Sequence, residues 1–374
     1  MFDHQHYVPV MRTKPAELKA LQSLDHTLRS RTTPILECPP RMLRGCDTLA
    51  KLEQRVDYFV QHLTGWAGRL FIDFNMLPST MSNALEVMAA RTSRAGIRPV
   101  LVVSLKGGSQ SPYARSVRAI SDRHGSAICL RISPEELKLS AVGEKIDGHL
   151  KSYSASPRLV DLVIDHGGID SGSFTYKDCA HLIPWVQSWR TLTSLAGSFP
   201  EDLSRLTPRE THRLRRFEWK QWRSLESWTG RRPAFGDYAI QHVTIKEPVA
   251  VPNFSASVRY TIEEDYFVLR GEGVLNDGGP GYGQFNGWAA LLIGMPEFYG
   301  ATFSAGDQYI AERAANWTTS GSAQTWLQAG FSHHLTTTAL QVARRLEQVR
   351  RITATATAPN WSSVVDISQP EALS

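Results

Sequence analysis

Eight short runs of β-branched and apolar residues recur along this chain, and a helical pattern fills most of the gaps between them. The runs occupy residues 7–11, 33–38, 69–75, 99–105, 127–132, 160–166, 191–198 and 232–240, and they start about 26 to 41 residues apart. That is the spacing of strand–helix units. Runs such as Val-Leu-Val-Val are continuously apolar rather than alternating, as strands buried on both faces must be. Residues 14–28 place Leu18, Leu21, Leu24 and Leu28 on one helical face, with Pro15 suited to a first turn. Residues 48–63 do the same with Leu49, Leu52, Val56, Phe59, Val60 and Leu63. Residues 83–94 and 111–124 also read as helices, and Gly96 and Gly125 are placed to end them in left-handed backbone.

Eight such units without a glycine-rich dinucleotide fingerprint predict an α/β fold, a closed (β/α)8 barrel of the TIM type, over residues 1–250. An open, doubly wound sheet is the competing arrangement. After residue 250 the pattern changes to a C-terminal extension, residues 251–354. It opens with a β-hairpin, residues 255–261 and 266–271, and continues with a glycine-rich stretch and an apolar helix at 288–293. Residues 303–310 read as irregular, residues 323–349 as a long helix, and residues 355–374 as a loose polar tail.

Composition narrows the function classes. Of 374 residues, 41 are Lys or Arg and 36 are Asp or Glu, so the net charge is only +5. The excess is local: residues 212–223 (HRLRRFEWKQWR) are basic with two tryptophans, and Arg344, Arg345, Arg350 and Arg351 crowd the end of the last helix. A basic stretch with aromatics suits phosphates and stacked bases, but it also suits a solvated helix face beside a strand. The cysteines Cys38, Cys46, Cys129 and Cys179 show no CxxC spacing, which argues against a zinc ribbon and fits a reducing cytoplasm. No apolar run approaches the roughly 18 residues of a membrane helix, and the N-terminal residues lack signal-peptide blocks.

In a barrel of this type the C-terminal strand ends surround the mouth where ligands bind. Those ends supply Arg12 and Lys14, Glu37, Asp73 and Asn75, Arg131, Asp165 and His166, and Asp237 and Tyr238. Glu37, Asp73, Asp165, His166 and Asp237 are the catalytic candidates; the others are candidates for binding. Polar groups at the ends of apolar strands must pair with one another or with a ligand. Each also has a plainer reading. Glu37 can simply pair with Arg12 or Lys14, Asp73 can cap the next helix, His166 can be a hydrogen-bonded structural imidazole, and Asp237 can orient Arg259 or Arg270. If the carboxylates converge they can hold Mg²⁺. The run Gly278–Gly283 lacks the Lys-Ser or Lys-Thr of a P-loop, and His333-His334 is not the i, i+4 pair of a zinc-binding helix and suits a helix start.

The opening YVPVMRTKPAELKAL followed by TPILE resembles the start of the "beta protein" family of bacteriophages, satellite phages and bacterial mobile islands. Tyr7, Pro9, Lys14, Glu17, Ala20, Leu21, Pro34 and Glu37 carry the likeness. The blocks FGDYAIQH, SVRYT with FVLRG, FSAGDQYI and TWLQAGFSHHLT follow in the family's order, whereas Arg12 stands slightly displaced from the expected basic position. The resemblance implies one long module in a phage or mobile-element setting and names no reaction. It gathers Lys14, Glu37, Asp73, Asp237, Arg259, Tyr260, Arg270, Asp307 and His334 as one candidate polar site.

Three functions follow from these residues. The first is a defence or immunity factor whose barrel mouth binds a nucleotide, a nucleic acid or another phosphorylated ligand. The second is a metal-assisted phosphodiester hydrolase. The third is a neutraliser of a neighbouring toxin protein, docking through a face around Tyr282, Phe285, Trp288 and Phe298.

Overall fold

A computed structural model of the protein describes residues 2–344, apart from residues 67, 79–80, 107, 174 and 246–253. The strands are β1 (Tyr7–Arg12), β2 (Ile35–Glu37), β3 (Arg69–Asp73), β4 (Arg98–Val103), β5 (Ala127–Ile132), β6 (Asp161–Gly168), β7 (Thr191–Gly197), β8 (Glu210–Arg215), β9 (Ala234–Asp237), β10 (Ser255–Ile262) and β11 (Asp265–Gly273). All of these except β8, β10 and β11 pair in parallel into a closed barrel, β1-β2-β3-β4-β5-β6-β7-β9, so the predicted barrel is the fold and the open sheet is excluded.

Alternation along each strand separates two apolar populations. Val8, Val10, Ile35, Phe71, Val100, Val102, Cys129, Val163 and Leu195 fill the barrel interior. Their neighbours Leu36, Leu70, Ile72, Leu101, Leu130, Leu162 and Ile164 point outward beneath the helices. At the N-terminal end of the barrel Asp161 is fully buried, held by Arg190 at 2.6 Å, Arg69 at 3.2 Å and the Thr191 hydroxyl at 2.7 Å. Phe2 packs against the interior at this end and stacks on His6, whose ring nitrogen lies 2.8 Å from Thr33 Oγ1. Burial pulls the His6 imidazole down to a pKa of about 3.

That shift has a measurable consequence. Between the ordinary value of 6.5 and about 3, the unfolded chain takes up a proton that folded His6 refuses. Stability should therefore fall with decreasing pH by about 1.4 kcal/mol per unit across that window. Urea titrations of wild type and His6→Gln from pH 7 to 4 should diverge, with the variant losing that share of the slope.

Most helices lie where the periodicity predicts them. Residues 48–63 become helix Leu49–Gln61, 83–94 becomes Ser82–Arg94, and 111–124 becomes Pro112–His124, which ends on Gly125 at φ 62. The 14–28 segment divides into Pro15–Ser23 and His26–Arg29, because the Asp25 carboxylate accepts from the Thr27 backbone N–H and starts a second helix. Residues 303–310 are not irregular: Ser304 caps helix Ala305–Ala315. The long C-terminal helix spans Ala323–Val342. Residues 345–349 of the predicted helix, the tail 355–374 and Arg345, Arg350 and Arg351 lie outside the described residues.

The hairpin β10–β11 forms as expected and gains a third, antiparallel strand, β8, contributed from between β7 and β9. This strand was missed in the sequence because its residues, ETHRLR, have no apolar run. The basic segment 212–223 is thus strand followed by helix Phe217–Arg223. Its tryptophans are not available to stack bases: Trp219 and Trp222 are buried and pack on Phe235. Arg213 pairs with Glu297, Arg215 with Glu264 and Asp265, and Arg223 with Glu264. In the face proposed for docking, Phe285 is buried and Trp288 and Phe298 are half-buried, leaving Tyr282 exposed. Among the described residues no helix is long and apolar enough to cross a membrane.

Candidate functional site

The residues that close the barrel interior at its C-terminal end are polar and continue the inward-facing rows. Arg12, Glu37 and Asp73 are adjacent across β1, β2 and β3 in register. Arg131 of β5 and Asp165 of β6 face them, and Tyr238 enters from just beyond β9. Arg131 is the hub. Its Nη1 donates to Glu37 Oε1 at 2.9 Å and Asp73 Oδ2 at 2.7 Å, and its Nε donates to Asp165 Oδ2 at 2.9 Å. Nη2 donates to the Tyr238 hydroxyl at 2.7 Å and lies 2.8 Å from Asp165 Oδ2. Tyr238 in turn donates to Asp165 Oδ2 at 2.7 Å.

The electrostatics follow from this crowding. Burial opposes charge on Arg131, but Tyr238, Asp165, Glu37 and Asp73 together keep it protonated. Burial pushes the Glu37 carboxyl up, and Asp73 adds to that, against the pull of Arg131 and Arg12. Burial likewise holds Tyr238 as a neutral phenol. The cluster retains an opening: the side chains of Arg131 and Asp165 keep 14% and 17% of their exposure, and Asn75 at the rim is exposed. Asn75 Nδ2 donates to Asp73 Oδ1 at 2.8 Å.

A strap of residues following β9 crosses one side of the mouth. Arg12 Nη1 donates to Gln241 Oε1 at 2.8 Å, and Nη2 donates to the carbonyls of His242 and Val243 at 2.8 and 3.0 Å. Its Nε lies 3.7 Å from Glu37, so the Arg12 alternative for Glu37 is realised alongside Arg131. Val243 seats against Gly197, where a Cβ would stand 2.9 Å from its methyl group; only glycine admits the strap this closely. Glu17, from the first helix, accepts from the Arg12 backbone N–H and from Gln241 at 3.2 Å. Lys14, half-buried at the start of that helix, favours the Glu17 carboxylate against its burial. Glu17 and Gln241 were not among the sequence candidates. Glu17 shares its helix face with the buried Ala20 and Leu21, and a carboxylate on that apolar face was the available signal.

Asp237 does not join the mouth. Strand alternation turns it away from Tyr238, outward into a fully buried polar network between the barrel and the C-terminal elements. It accepts from Tyr7 Oη at 2.7 Å and from the Ala239 backbone N–H at 3.0 Å, and lies 2.9 Å from His334 Nε2 and 3.7 Å from Arg216. His334 Nδ1 meets Thr261 Oγ1 at 2.8 Å. His333, expected like His334 at a helix start, stands mid-helix and points elsewhere, to Asp307 at 2.9 Å and the Thr261 carbonyl at 2.8 Å. Tyr260 completes that branch by donating to Asp307 at 2.6 Å. The single site expected of Asp237, Tyr260, Asp307 and His334 together with Glu37 and Asp73 is therefore two sites with separate surroundings.

The remaining candidates lie apart again. His166 faces outward from β6 into a small space beside Thr175, Lys177 and Glu218. Arg259 and Arg270 do not pair with Asp237; they donate to the carbonyls of Ile240 and Leu206. Among the described residues no group of three or more His, Cys, Asp or Glu side chains is arranged to hold a metal ion. In the mouth the Arg131 guanidinium stands between the carboxylates, where an ion such as Mg²⁺ would have to sit.

A model of the Beta protein family matches residues 7–340, from the first barrel strand into the last turn of the C-terminal helix. The chain belongs to the Beta protein family. Within this Beta protein, the blocks that carried the resemblance divide between the two sites: Glu37 and Tyr238 serve the mouth, while Asp237, Tyr260, Asp307 and His334 serve the buried network. No curated protein matches the chain. Among solved structures it is similar to tryptophan synthase from M. tuberculosis, at 12% identity over 63% of this chain and 83% of that one, with a TM-score of 0.35. It is also similar to an endo-β-N-acetylglucosaminidase from Cordyceps militaris, at 12% identity over 64% and 82%, TM-score 0.32. A sporulation-specific glycosylase, ydhD, from Bacillus subtilis shares 10% identity over 73% and 82%, TM-score 0.26.

Proposed function

We propose that this Beta protein binds a small, donor-rich ligand, one bearing hydroxyl or amine groups, in its barrel mouth. One observation carries the reading: the donors of Arg131 are consumed by Glu37, Asp73, Asp165 and Tyr238, so the mouth offers acceptors rather than donors. Arg12 is likewise committed to Gln241 and the strap. A hydroxyl or ammonium group finds carboxylate oxygens there; a phosphate meets like charge. A carboxyl raised by burial, Glu37, beside carboxylates held against a guanidinium is the arrangement that general acid–base chemistry uses, and Glu37 is our candidate acid. The biological role we attach to the pocket, defence or immunity on a mobile element, is supported by the family resemblance alone. The phosphorylated or nucleic-acid ligand is the weaker form of that role at this pocket, for the reason of charge just given.

Thermal-shift titrations with sugars, polyols and polyamines, beside nucleotides and short oligonucleotides, test this. A neutral or cationic donor-rich compound should raise Tm saturably, and Asp165→Asn should abolish the rise. No saturable rise with any donor-rich compound, or a rise that Asp165→Asn leaves intact, would overturn the reading; salt-sensitive binding of nucleotides that Asp165→Asn leaves intact would lie outside the mouth.

A further inference from the structure

Arg259 and Arg270 share with Arg118, Arg232 and Arg313 a buried Nε that has neither acceptor nor ion pair among the described residues, and differ from those three in lying together on one sheet face. Several arginines have a buried Nε without a hydrogen-bond acceptor, Arg12 and Arg216 among them. Those two have a carboxylate 3.7 and 3.5 Å from that atom. The Nε atoms of Arg259 and Arg270 are equally buried and without an acceptor, yet among the described residues neither guanidinium has an ion pair. Arg259 rests on the Phe199 ring at 4.8 Å and, among the described residues, donates only to the Ile240 carbonyl at 2.9 Å. With no carboxylate to offset it, burial alone lowers its pKa to about 10. Among the described residues Arg270 donates only to the Leu206 carbonyl at 2.6 Å. Leaving a partly buried cation without a counter-charge is costly, which is why such cations usually come with one.

The sheet brings the two together. In the β10–β11 ladder Arg259 lies opposite Val268 and Ser257 lies opposite Arg270. Arg259 and Arg270 are therefore diagonal neighbours on one face, about 7–8 Å apart at Cα. His212 and Glu210 of β8 continue that face; His212 is engaged with the Thr207 carbonyl, and Glu210 is exposed. The face looks toward Phe199 and Ile240, which follow the C-terminal ends of β7 and β9. This is the end of the barrel that carries the mouth, and Ile240 is two residues from Tyr238.

We propose that Arg259 and Arg270 form a subsite for a phosphate group on the rim beside the barrel mouth. Two guanidinium forks on one sheet face, each with unused donors, match the charge and the oxygen geometry of such a group. The subsite is independent of the carboxylate-lined mouth, and its test does not pass through it.

The probe is inorganic phosphate, added to the full chain against acetate at equal ionic strength, with binding read as Tm shift and by calorimetry. Phosphate should bind saturably and acetate should not. Arg259→Gln or Arg270→Gln should weaken phosphate by about tenfold or more, the worth of one charge-assisted hydrogen bond. Arg259→Lys, which keeps the charge without the fork, should fall between. Asp165→Asn should leave phosphate binding intact, so failure of the mouth reading and failure of the subsite are told apart. A single-stranded oligonucleotide that binds more tightly than phosphate, and loses that binding with Arg259→Gln, would assign the group to a nucleic-acid backbone; equal affinities would assign it to a small ligand. The proposal is overturned if wild type shows no saturable phosphate effect, or if both glutamine variants keep it unchanged. Each variant is compared with its own Tm without phosphate, and Arg270→Gln stands as the second reporter should Arg259→Gln not fold.

Discussion

Replacing Arg131 by methionine should destabilise the protein by about 3–5 kcal/mol at neutral pH, the usual cost of removing one partner from a buried ion cluster. The reason is arithmetic of charge: Glu37, Asp73 and Asp165 each lose the guanidinium that now bridges them and are left facing one another in the barrel interior. Glu37 is already raised by burial and by Asp73, so without Arg131 protonation becomes the cheapest relief. The sign follows. A carboxyl whose folded pKa lies above its unfolded value weakens the fold as pH rises, so the variant should recover stability as pH falls from 7.5 toward 5. Urea unfolding at several pH values reads this directly. Equal loss at all pH values would mean that lost packing, not carboxylate repulsion, dominates, and the hub assigned to Arg131 would be wrong.

Asp237→Ala should cost a similar amount, about 3–5 kcal/mol, without touching the mouth cluster directly. The substitution leaves the Tyr7 hydroxyl and the Ala239 N–H without their acceptor, His334 without its carboxylate, and Arg216 with Glu218 as its one remaining carboxylate among the described residues. Burial favours the neutral acid at Asp237, but His334, Arg216 and Tyr7 outweigh it and hold its pKa below 3.8. A depressed carboxyl contributes stability that is complete above its ordinary value and is lost as pH falls through the depressed one. Wild type should therefore lose this contribution below pH 3.8, and the alanine variant should lack that part of its acid transition. His334 acts earlier: burial keeps it neutral despite Asp237, so its penalty begins as pH falls through 6.5. The readout is chemical denaturation across pH 3 to 8. A second effect should appear at the mouth. Ala239 sits at φ 52, a left-handed conformation that is strained for alanine, and is clamped by Asp237 on its N–H and by Tyr266 on its carbonyl at 3.1 Å. Releasing that clamp frees the strap that carries Gln241 to Arg12, and ligand binding in the mouth should weaken along with stability.

Asp237 and Tyr238 also show where legibility ends. Both were read as belonging to one strand end and one rim. They are adjacent in sequence, so they leave the strand on opposite faces, one into the buried network and the other into the mouth. Parity could have separated them, yet the network that receives Asp237 is made by His334, Arg216 and Tyr7, which lie 97, 21 and 230 residues away in the chain. The same holds for the third strand of the small sheet: ETHRLR becomes β8 because β11 offers it a ladder, not because of any apolar content of its own.

The barrel was written locally. Each apolar run and each amphipathic helix records its own burial, and eight such units in succession have few ways to cover their faces other than by closing a ring. Long-range pairing leaves no local record, since a carboxylate and its guanidinium need only meet in space. That Arg131 spends its donors on Glu37, Asp73, Asp165 and Tyr238, while Arg259 and Arg270 each spend one on a backbone carbonyl and leave Nε without an acceptor, was decided only when the chain folded.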